Sequence, residues 1–140
     1  MRRDTADWEL WIEMAHESLQ TAAGAEVGGL LRSSVSRYYY AAYQAITALL
    51  LYRGVTPPVV DGVPREAWSH ADTPELIRQQ LGTVVRNRDK RSDLAKRLSV
   101  LYRMRVIADY AARTSVTQEN VDAARRDAGY LVKTADRILL

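Results

Sequence analysis

The stretch Ser33 to Gly54, SSVSRYYYAAYQAITALLLYRG, constrains this chain more than any other. At 3.6 residues per turn it reads as one helix of about six turns. Tyr39, Tyr43, Ile46 and Leu50 recur at spacings of three and four, and Tyr38, Ala42, Ala45, Leu49 and Tyr52 form a second row beside them. Apolar side chains therefore cover well over half of the circumference, more than a surface helix carries. Ser33 or Ser34 is expected to cap the start, and Gly54 to end the helix in a left-handed conformation. Such a helix has to be wrapped by others, or shared with a second copy of itself.

The rest of the chain supplies the wrapping. Trp8 to Ala23 reads as a first helix with the stripe Trp8, Trp11, Ile12, Ala15 and Leu19, capped by Asp4 or Thr5 and ended by Gly24. Ala25 to Arg32, with Gly28 and Gly29, is a short turn into the central helix. After Gly54 comes the one long irregular segment, VTPPVVDGVPREAWSHAD, which holds three of the four prolines. Pro57, Pro58 and Pro64 exclude a helix there, and loops of that length are often functional. Thr73-Pro74-Glu75 then opens a short helix carrying Leu76, Ile77 and Leu81, with Thr73 as N-cap and Pro74 at the first helical position.

Arg86 to Arg91 is a basic linker or the start of a fourth helix. That helix, roughly Ser92 to Arg113, places Leu94, Leu98, Leu101, Arg105, Ala108 and Ala112 in one row. Thr117 caps a last helix whose Val121, Ala124, Ala128, Leu131, Ala135 and Ile138 face inward. No β-alternation, repeat or low-complexity tract interrupts the pattern. The expected fold is all-α: an up-and-down four-helix bundle with a short additional helix, in a single domain spanning residues 1–140.

Several function classes fall away on composition. The chain contains no cysteine, so thiolate chemistry and disulfides are excluded. Its most apolar run, Ala45 to Tyr52, is far short of the roughly 20 residues that span a bilayer. The start MRRDTADWEL has no hydrophobic signal core, so a cytoplasmic protein without membrane contact is expected. Two distant histidines, His16 and His70, make no metal site, and no phosphate-binding glycine loop or Ser-His-Asp set can be assembled. No cofactor is expected.

The net charge of +3 hides an asymmetry. Met1 to Leu30 holds two arginines against six carboxylates, a balance of −4, whereas Arg78 to Arg105 holds nine bases against Asp89 and Asp93, a balance of +7. That distribution suits an anionic partner or head-to-tail pairing between copies.

Within the fourth helix, LYRMRVIADY sets an arginine directly in the apolar row. A charge at that position is costly unless it is paired. Asp109, four residues on from Arg105, shares nearly the same face and is the natural partner. Tyr110 sits about 140° further round, at about 100° per residue, and addresses a neighbouring surface. Two readings of Arg105 and Asp109 stand side by side: an ion pair that fixes helix packing, or a group that binds or cleaves an anionic ligand.

Two of these stretches carry a family resemblance. The run Ser36-Arg37-Tyr38-Tyr39-Tyr40-Ala41-Ala42-Tyr43, followed by a Leu-rich turn and Gly54, resembles the second helix of HEPN domains, small all-helical domains of prokaryotic toxin–antitoxin and defence systems. Arg105 to Tyr110, with Leu101-Tyr102 before it, is similar to a branch of that family in which an Arg followed by Ala-Asp-Tyr replaces an Arg followed four to six residues later by a His. The resemblance implies a homodimer whose two fourth helices bring both motif copies into one cleft. In active members that cleft is a metal-independent ribonuclease site, and the partner is a minimal nucleotidyltransferase. It assigns the catalytic positions to Arg105, Asp109 and Tyr110.

Catalysis of that kind needs an arginine to stabilise charge on phosphorus and a group near neutral pKa to move the 2′-hydroxyl proton. Here Tyr110 stands where the motif histidine would be. Arg37, His70, Arg86, Arg88, Lys90 and Arg91 are the expected contacts to RNA or a nucleotide. The alternative is solvated or ion-paired side chains for the arginines and the lysine, and a cap at the entry of the short third helix for His70. Tyr38, Tyr39, Tyr40 and Tyr43 read either as base-stacking rings or as core and dimer contacts. The competing function is a non-catalytic dimeric interaction module that meets a protein through the acidic first helix and the proline-rich loop.

Overall fold

In a computed structural model, residues 6–140 are described. Five helices follow in order: α1 (Asp7–Val27), α2 (Leu31–Tyr52), α3 (Thr73–Gln80), α4 (Arg88–Tyr110) and α5 (Gln118–Leu139). Four are long and α3 is short, which is the all-α bundle that the periodicities predict. α2 packs against α1, α3, α4 and α5, and every residue from Ala41 to Leu50 is buried. The doubly apolar stretch is thus the axis of the molecule. Leu94, Leu98 and Leu101 from α4 and Val121, Ala124, Ala128 and Leu131 from α5 close the core around it.

The helix ends differ from the sequence expectation in instructive ways. The expected cap of α1 at Asp4 or Thr5 lies outside the described residues. Gly24 does not stop α1, which runs on to Val27. A mid-helix glycine costs about 1 kcal/mol relative to alanine. Here the extra turn is held from outside. Glu26 receives Tyr38 Oη at 2.9 Å and Gln118 Nε2 at 3.1 Å, and also pairs with Arg125. The stop comes at Gly29, whose φ of 76° lets Leu30 N–H reach back to the Ala25 carbonyl at 2.8 Å.

Ser33 and Ser34 do not cap α2, which starts at Leu31 with no side-chain cap. Ser34 is fully buried and donates to the Ala22 carbonyl at 2.9 Å, stitching α2 to α1. Gly54 does end α2 as expected, with φ 85° and Val55 N–H bonded to the Leu50 carbonyl at 3.0 Å.

Thr73 is the first residue of α3 rather than its cap, and its hydroxyl donates to the Ser69 carbonyl at 2.8 Å. α4 begins within the basic run, because Asn87 Oδ1 accepts from Lys90 N–H at 3.0 Å. It ends at Tyr110, three residues before the expected Arg113. Thr117 caps α5 as expected, in a reciprocal arrangement with Asn120.

Inside the long loop lies a small antiparallel hairpin, β1 (Val59–Val60) and β2 (Val63–Pro64). Its turn is Asp61-Gly62, with φ of 52° and 76°. Positive φ at both central residues gives the turn a twist that matches the flanking strands.

Candidate functional site

The site grows from the one place where α2, α4 and the long loop meet. α2 offers Tyr39, Tyr40 and Tyr43, which helical spacing turns to one side, and Arg37, which reaches them by lying over the Tyr40 ring. α4 offers Tyr102, Arg105 and Asp109. The loop is pinned onto α2 at two points. Tyr43 Oη donates to the Trp68 carbonyl at 2.5 Å, and Tyr39 Oη lies 2.5 Å from His70 Nδ1. His70 therefore sits among rings: its centroid is 4.6 Å from Tyr43 and 5.6 Å from Tyr102, the latter nearly parallel at 11°.

Arg105 is the charge of this cluster, with a side chain 14% exposed. Its Nη2 donates to Tyr40 Oη at 2.9 Å. Its Nε lies 2.9 Å from Asp109 Oδ2 but makes no aligned hydrogen bond, so that contact is Coulombic attraction. Ser36 Oγ steadies the same carboxylate oxygen at 3.2 Å. Burial opposes the charge of Arg105, yet Tyr40, Asp109 and Tyr110 together hold its pKa above the usual guanidinium value. The arginine is thus a permanent cation.

The Tyr40 ring is shared by two cations. The guanidinium carbons of Arg37 and Arg105 lie 4.6 Å and 5.3 Å from its centroid. Tyr110 also faces Arg105, at 5.4 Å, but its own side of α4 is open and the residue is 72% exposed. Arg37 makes no ion pair among the described residues. The cluster therefore holds two guanidiniums against one carboxylate, and an anion is the natural third party.

The remaining sequence-assigned residues are placed elsewhere. Arg86, Arg88 and Lys90 lie at the opposite end of α4. At about 1.5 Å per residue, Arg88 is about 25 Å along the helix axis from Arg105. Arg86, Lys90 and Arg137 line a separate hollow there. Arg91 turns inward, donating from Nη1 to the Val85 carbonyl at 2.7 Å and the Arg86 carbonyl at 3.1 Å. It secures the connection between α3 and α4. His70, Arg37, Arg105, Asp109 and Tyr110 come together; the basic run does not join them.

Arg32 is the residue that sequence reasoning passed over. From the first turn of α2 its guanidinium reaches the end of α4, bonding to the carbonyls of Ile107, Ala108 and Ala111 at 3.0–3.2 Å and to Thr114. The Ile107 and Ala111 carbonyls also accept from backbone N–H groups, so Arg32 chiefly satisfies Ala108 and Thr114 and sets a cation at the negative end of the helix. This fixes the turn that carries Asp109 and Tyr110. No local pattern in the sequence marks a contact made across more than 70 positions.

A bundle organised on a buried Tyr-rich helix, with an arginine of α4 drawn among its tyrosines, defines a small helical domain. The family model for the HEPN domain matches residues 8–139, and the chain belongs to that family. Among curated proteins none matches the sequence.

Proposed function

We propose that this HEPN-domain protein engages RNA, or a nucleotide with the same phosphate chemistry, as one component of a prokaryotic toxin–antitoxin or defence module. The observation that carries the reading is the convergence of Arg37 and Arg105 on the Tyr40 ring with Asp109 as the one nearby carboxylate. A phosphate between the two guanidiniums completes their charge and their donors at once.

The sharpest form of the proposal is a metal-independent endoribonuclease. The 2′-hydroxyl gives its proton to the Asp109 carboxylate as its oxygen attacks the adjacent phosphorus. The bond to the 5′-oxygen breaks to leave a 2′,3′-cyclic phosphate, and the departing 5′-oxygen takes a proton from water. Arg105 stabilises the charge on the phosphoryl oxygens in between. A homodimer pairing two α4 helices places two such clefts side by side. Ile107 and Tyr110, exposed on α4, support that pairing. The proposed setting is the cytoplasm, and the proposed partner is a minimal nucleotidyltransferase.

A second reading, a non-catalytic interaction module, draws support from a groove along α1 and the end of α5. Trp8, Ile12 and Leu140 line it together with Glu9, Glu13 and Glu17.

One experiment separates the two. Binding and cleavage of a mixed RNA are measured in EDTA for the wild type and Arg105→Ala. RNA binding that falls with added salt and is lost in the mutant supports the first reading. Binding indifferent to salt and to Arg105, or absent in both proteins, overturns it in favour of the second.

A further inference from the structure

The tautomer of His70 follows from its surroundings. The Tyr39 ring is fully buried, and the one hydrogen-bond partner of its hydroxyl among the described residues is His70 Nδ1. A buried hydroxyl that fails to donate carries a desolvation cost. Burial also holds the Tyr39 phenol far above its ordinary pKa, so the proton stays on Tyr39. Tyr39 therefore donates, Nδ1 accepts, and a neutral imidazole in that position carries its own proton on Nε2.

The neutrality has a physical cause as well. Facing the ring are Tyr39, Tyr40 and Tyr43 from α2 and Tyr102 and Arg105 from α4. No carboxylate is among them. Burial, and then the charge of Arg105, hold the His70 pKa below 6.5. Nε2 makes no hydrogen bond among the described residues, and it is not one of the side-chain nitrogens sealed from solvent without a partner. The Tyr40 ring stands edge-on to His70 at 6.0 Å and its hydroxyl accepts from Arg105 Nη2, so one tyrosine separates His70 from the guanidinium.

We infer that His70 meets the ligand of the Arg37–Arg105 cleft as a neutral hydrogen-bond donor through Nε2–H, with Tyr39 setting the tautomer. The inference rests on the anion-binding reading above and names one more ligand contact within it. It also excludes His70 from taking the 2′-hydroxyl proton, because Nε2 presents no lone pair to the ligand. An anionic oxygen, of phosphate or of an ionised base edge, is what such a donor recognises. It adds no third positive charge beside two arginines.

The test uses the full chain and a short fluorescein-labelled RNA of mixed sequence with 2′-O-methyl riboses, which cannot be cleaved. His70→Ala is expected to weaken binding by about tenfold, the worth of one hydrogen bond to a charged group. His70→Gln, whose amide N–H falls near the position of Nε2–H, is expected to restore most of that loss. Nitrogen-15 spectra of the wild type are expected to show His70 as the neutral Nε2–H tautomer at about pH 7.

An Nδ1–H tautomer or an imidazolium at that pH overturns the assignment, as does a His70→Gln protein as weak as His70→Ala. Arg105→Ala is measured in parallel. If it binds like the wild type, the anion-binding reading itself fails. If it weakens while His70→Ala does not, the donor role of His70 alone is overturned.

Discussion

Tyr39 and Tyr40 are neighbours in sequence and point their hydroxyls at opposite chemical partners, a neutral imidazole and a guanidinium. Both are buried or half-buried, so each polar contact matters more than it would in water. His70 provides a stability reporter of this environment. Its folded-state pKa lies below the ordinary 6.5, so the unfolded chain takes up a proton that the folded protein resists. Stability is therefore expected to be full above about 6.5, to fall as pH drops from there through the folded value, and then to level off. Glu26 adds a separate acid step. Burial pushes its pKa up, but Tyr38 and Arg125 outweigh that and hold it below 4.5, so its contribution is lost only at lower pH. Urea unfolding followed downward from about pH 8 checks the order of the two steps. In His70→Gln the first step is expected to vanish and the second to remain. A first step that survives the substitution assigns it to another group.

At the level of elements, the sequence shows its periodicities clearly and its long-range polar contacts hardly at all. α2 and α5 were legible because burial follows spacing. Gly54 was legible because a left-handed stop needs a glycine there. The Asp61-Gly62 turn carried a local signal too, an acidic residue and glycine between valine pairs, which the surrounding prolines masked. Gly24 misled for a different reason: its helix is extended by Tyr38, Gln118 and Arg125, and none of these lies near it in the chain. In the candidate site, Arg105 is legible as a charge in an apolar row and Asp109 as its partner four residues on. The approach of His70 depends on how the loop folds over α2, and that of Arg105 to Tyr40 on how α4 packs against α2, which no local rule encodes. Arg32 is the strongest case. Arg32→Ala removes the donor to the Ala108 and Thr114 carbonyls at the end of α4, while those of Ile107 and Ala111 keep backbone donors, and is expected to cost about 1–3 kcal/mol. Hydrogen exchange is expected to speed up in the last turn of α4 while the middle of α2 stays protected. Unchanged exchange across Ile107 to Ala111 contradicts the capping role.

The whole molecule divides its charge between two of its helices, acidic along α1 and basic along α4. Self-association through α4 brings like charges together, so it must rest on apolar contact and on an anion that neutralises the arginines. Ile107, 39% exposed, and Tyr110, 72% exposed, share a side of α4, and the Tyr110 ring lies 5.4 Å from the Arg105 guanidinium. In the proposed homodimer, that side of α4 supplies the apolar contact between copies. For a protomer of 15.8 kDa, light scattering of the wild type is expected to give about twice that mass. Ile107→Glu sets an unpaired carboxylate in the contact and is expected to return the protomer mass, because a buried unpaired charge outweighs the small apolar gain of the pair. Since Ile107 contributes little to the core of its own protomer, the melting transition of the mutant is expected to remain cooperative. RNA affinity is expected to fall with the loss of the dimer. A mutant that remains dimeric places the contact on another face of the bundle. One that becomes monomeric with full RNA affinity shows that a single Arg37–Tyr40–Arg105 cleft holds the ligand unaided.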